Sequence, residues 1–335
     1  MPFVADIAKL SSLAIVGMAK NTGKTETLNY VLSRLADYSE LSIALTSIGI
    51  DGEKRDQVTQ TDKPEIFLRS GTIFVTAEKY YLTKQVPSEI LDIDYRYLTS
   101  IGRAIYAKAR GKGKVLLAGP STTGGLRYLI KKMRNYGVDL TIIDGALARM
   151  SLASPSVAEG VILATGAAYS AQPDKLIRDT QALHRLISLD EYSLPELIDA
   201  DSKDLWYYTD QDGWLSLGTS SALLGETWEK AAWLRDVEAI YIAGVVTDRM
   251  MNTLKGLKKL RCLIAKDFTH FFASPLAVSS FLNSGKELAV RYATKLIAVT
   301  FNPLSPTGYR LKSDEMCARL EKALNMPVYD VKQRS

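Results

Sequence analysis

The chain is poor in the residues that build metal centres and covalent staples: among 335 residues there are two cysteines and two histidines. Cys262 and Cys317 lie far apart and neither belongs to a CxxC pair. With only His184 and His270 beside them, a zinc site of Cys/His type is excluded. Two buried free thiols in a reducing compartment fit better than a disulfide. Long hydrophobic runs are also missing, since none reaches the roughly 20 residues that span a bilayer. The N-terminal stretch with Asp6 and Lys9 lacks the basic-then-apolar order of a secretory signal. A cytoplasmic protein without a membrane partner is the expectation. Blocks of one charge sign are absent as well, the net charge of +5 being spread along the chain. The densest basic stretches are 108–114 and 127–134. The first reads as a helix end entering a glycine turn, and the second as the solvated face of an amphipathic helix. With no recognisable reading motif, no nucleic-acid partner is expected.

What is present is an alternation of short apolar runs with amphipathic ones. Leu13–Val16, Ile43–Leu45, Thr72–Val75, Val115–Ala118, Leu140–Ile143 and Val161–Ala164 read as strands. Leu28, Val31, Leu32 and Leu35 form a helical stripe, and further helical patterns lie near 97–110, 124–136 and 171–188. Continuously apolar strands separated by helices predict an α/β fold, with a mostly parallel sheet covered on both faces. A polar, Trp-containing joint follows, with a hairpin expected around Asp210–Gly213. Strands are then expected at 240–246, 260–265, 296–300 and 328–331, with a helix over 314–324 capped by Ser313. The boundary is placed near residue 200, giving a domain over 1–200 and a smaller α/β unit over 201–335 that offers a partner surface.

The strongest chemical signal is Gly17-Met-Ala-Lys20-Asn21-Thr22-Gly23-Lys24-Thr25, between a strand and an amphipathic helix. Backbone N–H groups of such a loop, and of the helix start, point at a phosphate that the helix dipole also favours. Lys24 is placed to reach the β- and γ-phosphates and Thr25 to coordinate magnesium. Gly23 permits close backbone approach. The expected ligands are therefore ATP and Mg2+. The common spacing G-x-x-x-x-G-K-[ST] would put its first glycine at position 18, which is Met18 here; the glycine is Gly17. The longer loop resembles that of the dethiobiotin synthetase branch of P-loop proteins.

Partners of the loop are expected at the carboxyl ends of neighbouring strands. Leu140–Asp144 is an apolar run ending in an aspartate, which makes Asp144 a metal candidate, although Asp144-Gly145 is also a turn pair. By resemblance to the same class, Asp51 is a candidate to bind magnesium or orient the attacking water, and a solvated turn acid explains it equally. Ser121–Gly125 offers hydroxyls or a simple connection into a helix, and Thr165-Gly166-Ala167 is expected to face the nucleotide base. The Asn/Thr-Lys-x-Asp guanine signature is absent, which favours ATP. His184 reads as structural, and His270 has no partner identifiable from the sequence.

Longer strings carry a second resemblance. They are the loop itself, Thr46–Glu53, Asp62–Ile66 with Ser70–Ile73, Ile143–Ala146 running into Ser151–Pro155, and Asn302–Tyr309. Together they resemble the smaller subunit of the reactivase of lysine 5,6-aminomutase and ornithine 4,5-aminomutase. That resemblance implies an accessory subunit working with a larger MutS-like ATPase subunit. Together the two would restore an adenosylcobalamin-dependent aminomutase by ATP-driven exchange of damaged cobalamin. Whether this chain hydrolyses ATP itself stays open, as does homo-oligomerisation. The alternative is a small-molecule kinase or ATP-dependent ligase of the dethiobiotin synthetase type.

Overall fold

The computed structural model describes residues 2–48, 66–99, 102–145, 153–199, 203–218 and 235–333. The chain divides into two compact units, one of Met1–Thr180 with Lys295–Ser335 and one of Gln181–Thr294.

In the first unit, helix α1 (Phe3–Ile7) precedes strand β1 (Ser12–Gly17), which leads through the loop into helix α2 (Lys24–Leu35). Strands β2 (Ile43–Ser47), β3 (Ile66–Leu68) and β4 (Ile73–Ala77), helix α3 (Glu78–Leu82) and strands β5 (Ser88–Thr99), β6 (Gly102–Ala109) and β7 (Gly113–Val115) follow. Next come helix α4 (Thr123–Arg134), β8 (Leu140–Asp144), β9 (Gly160–Gly166) and helix α5 (Pro173–Ile187), whose residues from Gln181 on belong to the second unit. The second unit supplies β10 (Leu205–Thr209), β11 (Gly213–Ser216), β12 (Ala239–Ile242), β13 (Val246–Thr247), β14 (Cys262–Ala265), β15 (Phe271–Phe272) and β16 (Glu287–Val290). The chain then returns to the first unit as β17 (Lys295–Asn302), the helix Ser313–Leu324 and β18 (Val328–Tyr329).

Nine strands form the main sheet in the order β18-β17-β9-β1-β8-β2-β4-β6-β5. Pairing is parallel from β18 to β4, and β6 and β5 join as an antiparallel hairpin. The fold is α/β. Its central strands are buried along their whole length, as strands covered on both faces must be. Leu13, Ile15, Leu45, Leu140, Ile142 and Ile162 pack under Leu28, Val31 and Leu35 of α2. On the opposite face Ala44, Ile73, Val75, Ala104 and Tyr106 meet Leu129 and Met133 of α4.

The helix expected at 97–110 is instead the β5–β6 hairpin. Residues 104–107 are buried on both faces of the sheet, so both strand parities are apolar and imitate a helical stripe. The expected helix end at 108–114 is accordingly the end of β6 and a turn into β7. The strand expected at 115–118 stops at Val115, and β7 pairs with β3 in a separate two-stranded sheet. Ser313 is the first helical residue rather than the cap, because its hydroxyl donates to Asp330 Oδ2 at 2.5 Å. The division near residue 200 also gives way. Strand β17 pairs with β9 from Lys295 to Asn302, so the C-terminal segment completes the sheet that starts at β1.

The second unit holds a five-stranded sheet in the order β11-β10-β12-β14-β16, with the expected hairpin over 205–216 at one edge. Ile198, Tyr241, Cys262 and Ile264 lie in its core. Burial, reinforced by the Glu287 charge, pushes the Cys262 thiol up to about 12. Cys317, on a helix of the first unit, is half-buried, and neither cysteine is in a disulfide. Among the described residues no helix is long and apolar enough to cross a membrane.

Candidate functional site

Strand β1 sits where the sheet order reverses. From it the chain crosses past β8 to β2, whereas β9, β17 and β18 line its other side. In open α/β sheets the crevice at such a switch point, outside the carboxyl ends of the strands, is where ligands bind. Residues 17–25 occupy that place.

Met18 N donates to Ala164 O at 3.0 Å, which holds the start of the loop to β9. The Thr22 hydroxyl donates to Ala19 O at 2.9 Å and is buried, so it closes the loop from within. Asn21 (φ 61°) and Gly23 (φ 96°) both take the left-handed conformation, which turns the backbone into α2. Among the described residues no side chain caps that helix start. Lys24 Nζ lies 3.5 Å from Ala19 O, folded back over the loop. The Lys24 stem passes directly over Gly17, where an added Cβ would meet Lys24 Cγ at 3.0 Å and Thr22 Oγ1 at 2.6 Å. Gly17 is thus the small floor of the cradle, although it precedes the usual glycine position by one. Met18 turns elsewhere: the Thr180 hydroxyl on α5 lies 3.1 Å from its sulfur. Lys20 is exposed and Thr25 is half-buried in the first turn of α2.

The carboxyl ends of β2 and β8 lie beside the loop in register. Ser47 pairs with Asp144, and Ile15 of β1 pairs with Asp144 from the other side. Side chains two residues apart share a face, and Leu45 and Ile142 pack on the α2 side. Ser47 and Asp144 therefore share the face that α2 covers, the helix whose first turn carries Lys24 and Thr25. Both side chains are buried. The Ser47 hydroxyl finds no hydrogen-bond partner among the described residues.

A residue from the far end of the chain completes the loop. Asn302, at the end of β17, donates from Nδ2 to Asn21 O at 3.1 Å. Its backbone carbonyl accepts from Ala167 N at 2.9 Å. An added Cβ at Gly166 would lie 2.3 Å from that same carbonyl oxygen. Of Thr165–Ala167, expected to face a base, Gly166 and Ala167 thus pack on Asn302, while the Thr165 hydroxyl lies 3.1 Å from that of Thr180. Within Ser121–Gly125, Thr122 Oγ1 caps α4 by accepting from Gly125 N at 3.1 Å, as a connection into the helix requires. Asp51, the strings Thr46–Glu53 beyond Ile48 and Asp62–Glu65, and residues 146–152 lie outside the described residues.

His184 is held below its ordinary value by burial and then by the neighbouring Arg185. His270 Nδ1 lies 3.1 Å from Asp267 Oδ1, a partner the sequence did not disclose. Among the described residues no cluster of three or more His, Cys, Asp or Glu side chains could hold a metal alone. Asn302 and Ser47 entered the sequence reading only as members of the strings Asn302–Tyr309 and Thr46–Glu53, with no role at the loop assigned to them. The chain matches no family model, no curated protein and no solved structure.

Proposed function

We propose that the chain binds a nucleoside triphosphate with magnesium at residues 17–25, as the accessory subunit that reactivates an adenosylcobalamin-dependent aminomutase. The observation that carries the binding is the cradle itself. A buried strand ends on Gly17, the backbone turns left-handed at Asn21 and Gly23, and Lys24 and Thr25 open a helix at the switch point of the sheet. A helix start of this kind favours an anion, and the glycines leave the backbone open to it.

The residues present fit the group. Lys24 would leave the Ala19 carbonyl for the β- and γ-phosphates, and Thr25 and Asp144 would hold magnesium. The metal supplies neutralisation of phosphate charge when bound. ATP is preferred to GTP because the guanine signature is missing. The reactivase role rests on the sequence strings, with a MutS-like ATPase subunit and the aminomutase as partners. In that role the nucleotide acts by its unequal affinity for two conformations, the only way a ligand shifts an equilibrium.

Calorimetry with Mg-ATP tests the binding. Lys24→Ala should abolish it, and unchanged affinity overturns the site. Turnover separates the roles: slow hydrolysis that rises when the aminomutase and the MutS-like subunit are added supports the reactivase. Turnover that rises with one small metabolite favours a kinase or ligase instead.

A further inference from the structure

We propose that the Ser47 hydroxyl, buried beside Asp144 under the start of α2, binds the water shell of the magnesium carried by the nucleotide at residues 17–25. The inference rests on the nucleotide reading above and extends it to a residue with no part in the phosphate cradle.

A buried side-chain hydroxyl nearly always has a partner, because water no longer supplies one. Ser47 is fully buried (0% exposed), and its Oγ has no hydrogen-bond partner among the described residues. Alanine would fill the same space without this penalty, so the hydroxyl is explained by a partner that arrives with a ligand. Its place says which ligand. Ser47 is the last residue of β2 and the register partner of Asp144. Parallel neighbours in register direct their side chains to one face, here the face of α2.

The backbone around Ser47 is held closely. A Cβ at Gly119 would come within 2.2 Å of the Ser47 carbonyl oxygen, so the end of β2 is packed directly against the Gly119 backbone. The Ser47 carbonyl faces that glycine, and Ile48 N donates to Asp144 O at 3.3 Å, which locks β2 to β8 at this level. A hydroxyl offers two acceptor sites and one donor. Magnesium dehydrates reluctantly and keeps several waters, whose hydrogens point outward and need acceptors. A carboxylate alone, at Asp144, leaves room for a second acceptor on the same face. Ser47 is that acceptor, and it is a positioning residue for the metal rather than a ligand of phosphate.

The test compares wild type, Ser47→Ala and Lys24→Ala by calorimetry, with Mg-ATP and with ATP in excess EDTA, and by thermal melting without nucleotide. Ser47→Ala should weaken Mg-ATP binding by roughly tenfold, the worth of one hydrogen bond in a charged site. It should leave metal-free ATP binding unchanged and melt at or above the wild-type temperature. Equal loss with and without magnesium overturns the proposal, because the hydroxyl would then serve phosphate or the loop. A clear drop in melting temperature also overturns it, since the hydroxyl would have a structural partner. If Ser47→Ala binds Mg-ATP like wild type while Lys24→Ala does not, the role of Ser47 falls and the nucleotide site stands. If the wild type binds no nucleotide, both fall.

Discussion

Asn302 Nδ2 donates to the carbonyl oxygen of Asn21 at 3.1 Å, joining positions 281 residues apart. Asn21 is one of two described non-glycine residues with positive φ. That conformation is uncommon outside glycine, and asparagine is among the residues that tolerate it best. The contact clamps the loop where its backbone is least at ease. Asn302 Oδ1 meanwhile accepts from Leu304 N at 3.2 Å, so the two ends of one carboxamide serve two segments. Asn302→Ala should weaken nucleotide binding about fivefold, on the order of 1 kcal/mol for the lost bond. Asn302→Asp keeps the acceptor for Leu304 but puts a carboxylate against the Asn21 carbonyl and near the phosphates. It should bind more weakly than Asn302→Ala. Titration with a fluorescent nucleotide analogue ranks the three proteins, and equal affinities would remove Asn302 from the site.

Gly17 makes a separate prediction about the shifted glycine. A methyl group there would press on Thr22 Oγ1, which is held by Ala19 O and buried, so it has nowhere to retreat. Gly17→Ala should cost roughly 1–3 kcal/mol of stability through overpacking, and it should reduce nucleotide affinity more than tenfold. Gly124→Ala is the control. Gly124 lies in the first turn of α4 with open space where the Cβ would go, so the substitution should hold or raise stability by up to about 1 kcal/mol. Urea unfolding and nucleotide titration of both variants check the contrast. A Gly17→Ala protein that binds normally would mean the cradle is looser than its contacts indicate.

The strand–loop–helix arrangement around residues 17–25 was legible because its signals are local: Gly17, Gly23, Lys24 and Thr25 fall within nine positions between an apolar run and an amphipathic stripe. The central strands β1, β8 and β9 were legible too, since burial on both faces makes them continuously apolar. The same property hid β6, where Ala104, Ile105, Tyr106 and Ala107 are all buried and strand and helix periods coincide. Asn302 escaped because only the parallel pairing of β17 with β9 brings it to the loop. Ser47 escaped because a serine at a strand end has no meaning until its register with Asp144 is known. The composition could not reveal the discontinuous first unit either, for Lys295–Ser335 resembles any other α/β stretch until it is paired.

Lys132 makes the last prediction, at the edge of the sheet away from β1. Its ammonium on α4 lies 2.9 Å from Asp94 Oδ2 and 2.6 Å from Asp92 Oδ2, both on β5, and 4.2 Å from the centre of the Tyr106 ring. Asp94 is buried, which alone would raise its carboxyl; the Lys132 ammonium and the Arg96 N–H outweigh burial and hold it below the usual carboxylate range. A carboxylate with a lowered folded pKa contributes stability above its unfolded pKa of about 4, and that contribution fades as the pH falls through the folded value. The wild type should therefore lose stability below about pH 4. Lys132→Met leaves a buried Asp94 charge unpaired and should cost roughly 3 kcal/mol at pH 7. Burial, the largest single influence on Asp94, is then opposed only by the Arg96 N–H and the Tyr128 hydroxyl and should raise the carboxyl, so the sign of its pH dependence reverses. Acidification toward pH 5 should narrow the gap between variant and wild type; the loss from His184, whose lowered value destabilises both proteins alike below about pH 6.5, cancels in that comparison. Urea unfolding of both proteins at pH 7 and pH 5 reads this directly. A deficit equal at the two values would show that Lys132 acts through its packing on Tyr106 rather than through its charge.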